Sequence, residues 1–161
     1  MDASSAAQGL IRVLERTAER QRRMLTLLER QREAMIARDL ISLSELSGEL
    51  VGLAEEAQRI ETERAALTRQ LVSASAGDPA NTSLRDIADS LDDPEAAARL
   101  LELRDELLTL QGQVSAARDR NQALASDILA ANDATLKVLM DALRQAGHGP
   151  DDTPRVFDRR A

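Results

Sequence analysis

Leucines and other aliphatic residues recur along this chain at alternating steps of three and four, and that spacing predicts long helices. The first runs over about 5–38. Leu10, Leu14, Met24, Leu28 and Met35 form its stripe, Thr17, Gln21 and Gln31 interrupt it, and Ile11, Ala18 and Leu25 widen it. A broken, widened stripe belongs to a bundle helix rather than to a strict two-stranded seam. Near Asp39 the pattern restarts. Asp39 can cap the next helix, Ser42 with Glu45 offers a competing capping box, and a continuous helix through this point is the third possibility.

The second helix, about 40–72, carries the cleanest seam: Leu43, Leu46, Leu50, Leu53, Ala57, Ile60, Arg64, Leu67 and Leu71. Gly48 and Gly52 weaken its first half and offer room for a neighbouring helix to come close. The stretch 73–93 reads as a loop, rich in Ser, Gly, Asp and Asn, with room for a short helix from Leu84 to Leu91. Asp93 as cap and Pro94 at the first helical position then open the last helix, about 94–146, which Gly147 and Gly149 end. Its seam runs Leu100, Leu103, Leu107, Leu110, Val114, Ala117, Asn121, Leu124, Ile128, Ala131, Thr135, Val138 and Ala142. The predicted fold is all-α: an antiparallel, coiled-coil-like bundle of three long helices over 1–146, followed by a disordered tail over 147–161.

Composition sharpens this picture. There is no Trp or Tyr, and Phe157 is the one aromatic residue. An aliphatic core on long helices needs no large rings, whereas a β-sandwich or α/β enzyme ordinarily has them. With no cysteine there is no thiol chemistry and no disulfide. The N-terminus lacks the basic and apolar regions of a signal peptide, and no apolar run is long enough to span a bilayer, so the expected location is the cytoplasm with no stable membrane insertion. A net charge of −7 argues against general nucleic-acid affinity. The first helix is locally basic through Arg12, Arg16, Arg20, Arg22, Arg23, Arg30, Arg32 and Arg38; Glu15, Glu19, Glu29 and Glu33 are their nearest partners in sequence.

Candidate chemistry is sparse. His148 is the only histidine and Lys137 the only lysine. No phosphate-binding glycine loop and no histidine–carboxylate ligand set is present, so no catalytic residue, metal site or cofactor is expected. Two polar residues interrupt apolar seams. Arg64 can lay its stem across the bundle or pair with an acid. Asn121 either fixes register inside the bundle or hydrogen-bonds a partner chain. The second half of the last helix is apolar on more than one stripe, through Leu124, Ile128, Leu129, Leu136, Val138, Leu139, Met140 and Leu143. A helix apolar on two faces needs two sets of partners: the bundle, and either a second protein or a second copy.

The run from Asp119 to Leu139 resembles the C-terminal helix of FlgN-type flagellar export chaperones. Asn121, Leu124, Asn132, Leu136 and Leu139 fill that family's positions, while an earlier family Asn is Arg118 here. Asp39-Leu40 at the turn, the spaced leucines after it, and Glu61 with Arg64 follow the family's layout. Val156-Phe157-Asp158-Arg159-Arg160 resembles its tail segment, with Phe in place of Tyr. The resemblance implies a chaperone that binds FlgK- and FlgL-like hook-filament junction proteins and delivers them to the export gate component FlhA. It assigns client binding to Asn121, Leu124, Ile128, Asn132, Leu136 and Leu139, and gate docking to Phe157. The chaperone is expected as a monomer or homodimer; the competing reading is a self-associating structural coiled coil without a client.

Overall fold

The computed structural model describes residues 3–74 and 82–147. Helix α1 spans Ala3–Ala37 and α2 spans Leu40–Ala74. Two residues join them. Arg38 takes a left-handed conformation with φ 56°. Its N–H donates to the Met35 carbonyl at 3.2 Å, and the Asp39 N–H reaches back to Ala34 at 2.9 Å. These bonds satisfy the last carbonyls of α1 in a Schellman-type stop, a position usually given to glycine. Asp39 then starts α2. Its carboxylate accepts from the backbone N–H groups of Ile41 and Ser42, both at 3.1 Å, and from the Ser42 hydroxyl at 2.6 Å. The helix break is real, and Asp39 is the residue that caps it.

Ion pairs fix the direction of the hairpin. Arg16, Arg23 and Arg30 of α1 meet Glu63, Glu56 and Glu49 of α2, so ascending one helix descends the other. Each step is seven residues, the spacing of a charged flank beside an apolar seam. The remaining connection is α3, Leu84–Asp89, opened by a reciprocal capping box between Ser83 and Asp86. Helix α4, Pro94–Gly147, follows, with Asp93 accepting from the N–H groups of Glu95 (3.0 Å) and Ala96 (3.1 Å). Glu15 with Arg99, Arg22 with Glu106, and Leu28 with Asn121 rise together, so α4 runs parallel to α1 and antiparallel to α2.

The described chain is therefore all-helical, with four helices rather than three: three long ones running up, down and up, and the short α3. Helix α3 closes one end of the core. Its Ile87 and Ala88 pack among Ala6, Leu10, Leu14, Leu71, Leu100 and Leu103. A second cluster joins Met24, Leu27 and Leu28 to Leu46, Leu53, Val114 and Ala117. Gly48 and Gly52 do not serve close packing, since a methyl group added at either meets open space. Close approach occurs at Gly9 instead, where an added Cβ would stand 3.0 Å from a Leu67 methyl.

By its contacts the chain divides into two units, one ending at Gln122 and one starting at Ala123. The expected bundle runs to residue 146, whereas the first of these units ends at Gln122. Helix α4 has 54 residues, whereas α1 and α2 have 35 each. The expected tail over 147–161 lies, apart from Gly147, outside the described residues.

Candidate partner-binding face

The seam of α4 is buried or half-buried from Leu100 through Ile128 and exposed at Ala131, Thr135, Val138 and Ala142. Within the second unit, Leu124 and Ile128 are half-buried, and every residue from Leu129 to Ala146 is exposed. Six of these are large and apolar: Leu129 (65% exposed), Leu136 (58%), Val138 (70%), Leu139, Met140 and Leu143. At about 100° per residue, the apolar side chains from Val138 through Leu124, Ile128, Leu139, Leu143, Leu136 and Leu129 to Met140 sweep an arc of about 200°. The stripe of one packed helix face is nearer 100° wide. Asp127, Asp133, Lys137, Asp141 and Arg144 occupy the rest of the circumference, and Arg144 pairs with Asp141 at 3.6 Å.

The expected site residues fall into three groups. Leu124, Ile128, Asn132, Leu136 and Leu139 share this arc. Asn121 does not belong with them. It is only 6% exposed, and its Nδ2 donates to the Leu28 carbonyl at 2.8 Å and to Gln31 Oε1 at 3.0 Å. Both amide hydrogens are used inside the bundle, so the client-binding assignment of Asn121 is corrected to the register-fixing one. Spacing had placed it with Asn132, about three turns away on one face, but a shared helix face does not mean shared surroundings. Phe157 lies outside the described residues.

Leu129, Val138, Met140 and Leu143 complete the arc although the family pattern does not mark them. The breadth of the apolar surface in the sequence was the signal for them. A second exposed patch, Ile36, Leu40 (77% exposed) and Ile41, sits at the α1–α2 turn. The three residues flank a helix break, so no single periodic stripe joins them in the sequence.

The polar interruption of the α2 seam, Arg64, is locally satisfied. Arg64 lies beside Glu61 with two hydrogen bonds, at 2.8 and 2.6 Å. Those bonds hold Glu61 below the usual carboxylate range against the opposing effect of burial, and they raise Arg64. Of the arginines that make α1 basic, Arg16, Arg22, Arg23, Arg30 and Arg32 are engaged by glutamates. The charge of these five is balanced within the bundle, which weakens the basic stripe a phosphate backbone would need.

Among the described residues no group of three or more His, Cys, Asp or Glu is placed to hold a metal ion. No described helix is long and apolar enough to cross a membrane. No curated protein and no solved structure matches the chain. The FlgN protein family matches residues 1–151. A family match over nearly the whole sequence, on an all-helical bundle, means that the chain belongs to the FlgN family, whose members are chaperones of flagellar assembly.

Proposed function

We propose that this protein is a cytoplasmic export chaperone that captures FlgK- and FlgL-like junction proteins along the C-terminal part of α4 and delivers them to the export gate component FlhA. The observation that carries this reading is the uncovered apolar arc between Leu124 and Leu143. Amphipathic helices bind other chains by laying an apolar face into such a surface, with anchors at three and four residue steps. Leu124, Ile128, Leu136 and Leu139 supply the central contacts, and Leu129, Met140, Leu143 and Val138 extend them to either side. An arc of about 200° seats two client helices, since one helix covers about half of it. Asn132 lies within the arc and sets client register by hydrogen bonding from its exposed amide. Phe157 acts separately, as the anchor for the gate.

Isothermal titration of the full chain with the C-terminal helical segment of a FlgK-type protein tests this. Saturable binding that Leu136→Asp abolishes, with α-helical content unchanged, is the expected result. Phe157→Ala should leave that binding intact and weaken association with the cytoplasmic domain of FlhA. The competing reading, a structural coiled coil, draws on the seven-residue spacing of Leu129, Leu136 and Leu143. It requires a constitutive oligomer in sedimentation that ignores the client segment, and that outcome would replace the chaperone reading.

A further inference from the structure

Not every arginine of the bundle is ion-paired, and two that are not share a cleft. Arg20 of α1 and Arg118 of α4 line one cleft of about 490 Å³, together with Gln21, Ser115, Asp119 and Gln122. The arginines of α1 nearest in sequence, Arg16, Arg22 and Arg23, each meet a glutamate. Among the described residues, no carboxylate forms an ion pair with Arg20 or Arg118. Glu56, whose field favours the Arg20 charge, is engaged by Arg23 at 3.3 Å.

The Arg20 Nε is buried and no protein acceptor reaches it. A buried guanidinium donor without an acceptor is costly, and a second cation beside it adds repulsion. Burial holds Arg20 below its ordinary value; Glu56 opposes that shift and Arg118 adds to it. An anion in the cleft would offset the repulsion between the two cations. Guanidinium groups pair with carboxylate and phosphate in a planar, two-pronged geometry, so the complementary ligand is an oxyanion. The amides of Gln21 and Gln122 and the Ser115 hydroxyl supply neutral donors around it, against the repulsion of the Asp119 carboxylate that lines the same cleft.

We propose that the cleft between Arg20 and Arg118 is an oxyanion-binding site, taking a carboxylate or phosphate group between the two guanidinium forks. This site lies wholly within the first unit and does not depend on how the apolar arc is used.

The test uses the full chain, with arginine Nε–Hε resonances followed by NMR while inorganic phosphate replaces chloride at constant ionic strength. The Arg20 signal should shift and saturate in the millimolar range. Arg118→Gln, at an exposed position, should weaken that binding at least fivefold while leaving the thermal transition in chloride in place. Arg20→Lys keeps the charge and loses the fork, and should weaken it similarly. A linear drift of Arg20 no different from that of Arg59, or equal binding by Arg118→Gln, overturns the proposal. N-acetylglutamate amide in place of phosphate separates the sources. Tighter saturation by it assigns the site to an acidic side chain of a bound polypeptide; tighter saturation by phosphate assigns it to a free anion.

Discussion

Asn121 of α4 donates to the main-chain carbonyl of Leu28, tying one helix of the bundle to the backbone of another at a buried point. Its second hydrogen goes to Gln31 one turn on, so the register of α4 against α1 is specified at this layer by two bonds a leucine could not make. Asn121→Ala should lower stability by about 1–2 kcal/mol, the usual cost of losing buried hydrogen bonds of this kind. Urea denaturation measures that loss. Affinity for a client segment should stay within twofold at equal folded fraction. A variant that folds as well as the parent but binds tenfold more weakly would return Asn121 to the docking face.

Glycine and arginine occupy each other's favoured places in α2 and at its entrance. Gly48 and Gly52 sit in the interior of α2 with free space where a methyl would go. Each should gain about 0.5–1 kcal/mol on replacement by Ala, because the helix no longer orders a glycine. Arg38, by contrast, holds φ 56° without being glycine. A left-handed residue with a side chain costs about 1–2 kcal/mol, so Arg38→Gly should raise the melting temperature even after the entropy that glycine adds to the unfolded chain. If Gly52→Ala destabilises the protein, α2 packs more tightly there than the open space indicates.

Helix ends and seams were legible in the sequence because they depend on local chemistry. Asp93-Pro94 opens α4 as its side-chain types require, and the seam from Leu43 to Leu71 is buried or half-buried at every position. The α1–α2 junction was readable only as a choice among three, since neither Pro nor Gly marks it; Asp39 prevails by taking two backbone N–H groups at once. Environment along a continuous seam was not legible. Asn121, Leu124 and Val138 lie along the same seam, yet they are buried, half-buried and exposed in turn. Periodicity reports which way a side chain faces on its own helix, not whether another helix is there to meet it. The Arg20–Arg118 cleft was hidden for the same reason: two arginines far apart in sequence reveal nothing of their proximity.

The caps impose a pH dependence. Hydrogen bonds from Ser42, through its hydroxyl and its backbone N–H, hold Asp39 below its ordinary value of 3.8, and those from Ser83 do the same for Asp86. Both groups therefore bind protons less readily folded than unfolded. Their stabilisation is complete above the unfolded value and is lost as pH falls through the folded one. Between pH 7 and about 5 neither cap should change stability, since both carboxylates are ionised in both states. Below pH 4 the difference in urea midpoint between the parent and Asp39→Ala should shrink. A difference that stays constant down to pH 2 would mean that the neutral carboxyl caps α2 as well as the ionised one.

Val138 and Met140 mark the two edges of the apolar arc, with Leu136 between them, and that arrangement makes the number of client helices measurable. All three side chains are more than half exposed in the free protein, so an Asp at any of them should leave folding unchanged. Covering a leucine of this size is worth about 1.5–3 kcal/mol when burial is complete, and a carboxylate in its place must also be desolvated. Leu136→Asp should therefore weaken client binding by at least tenfold, since about 1.4 kcal/mol corresponds to that factor. If two helices dock, Val138→Asp and Met140→Asp each remove one contact line and weaken binding in part, while the double variant loses it. Leu50→Asp is the contrasting case. Leu50 packs against the second core cluster, so its replacement should lower stability first and affect binding only through the unfolded fraction. If Met140→Asp abolishes binding while Val138→Asp is silent, a single client helix occupies one side of the arc. If Leu136→Asp and Leu50→Asp lose affinity equally at matched folded fraction, the client binds elsewhere.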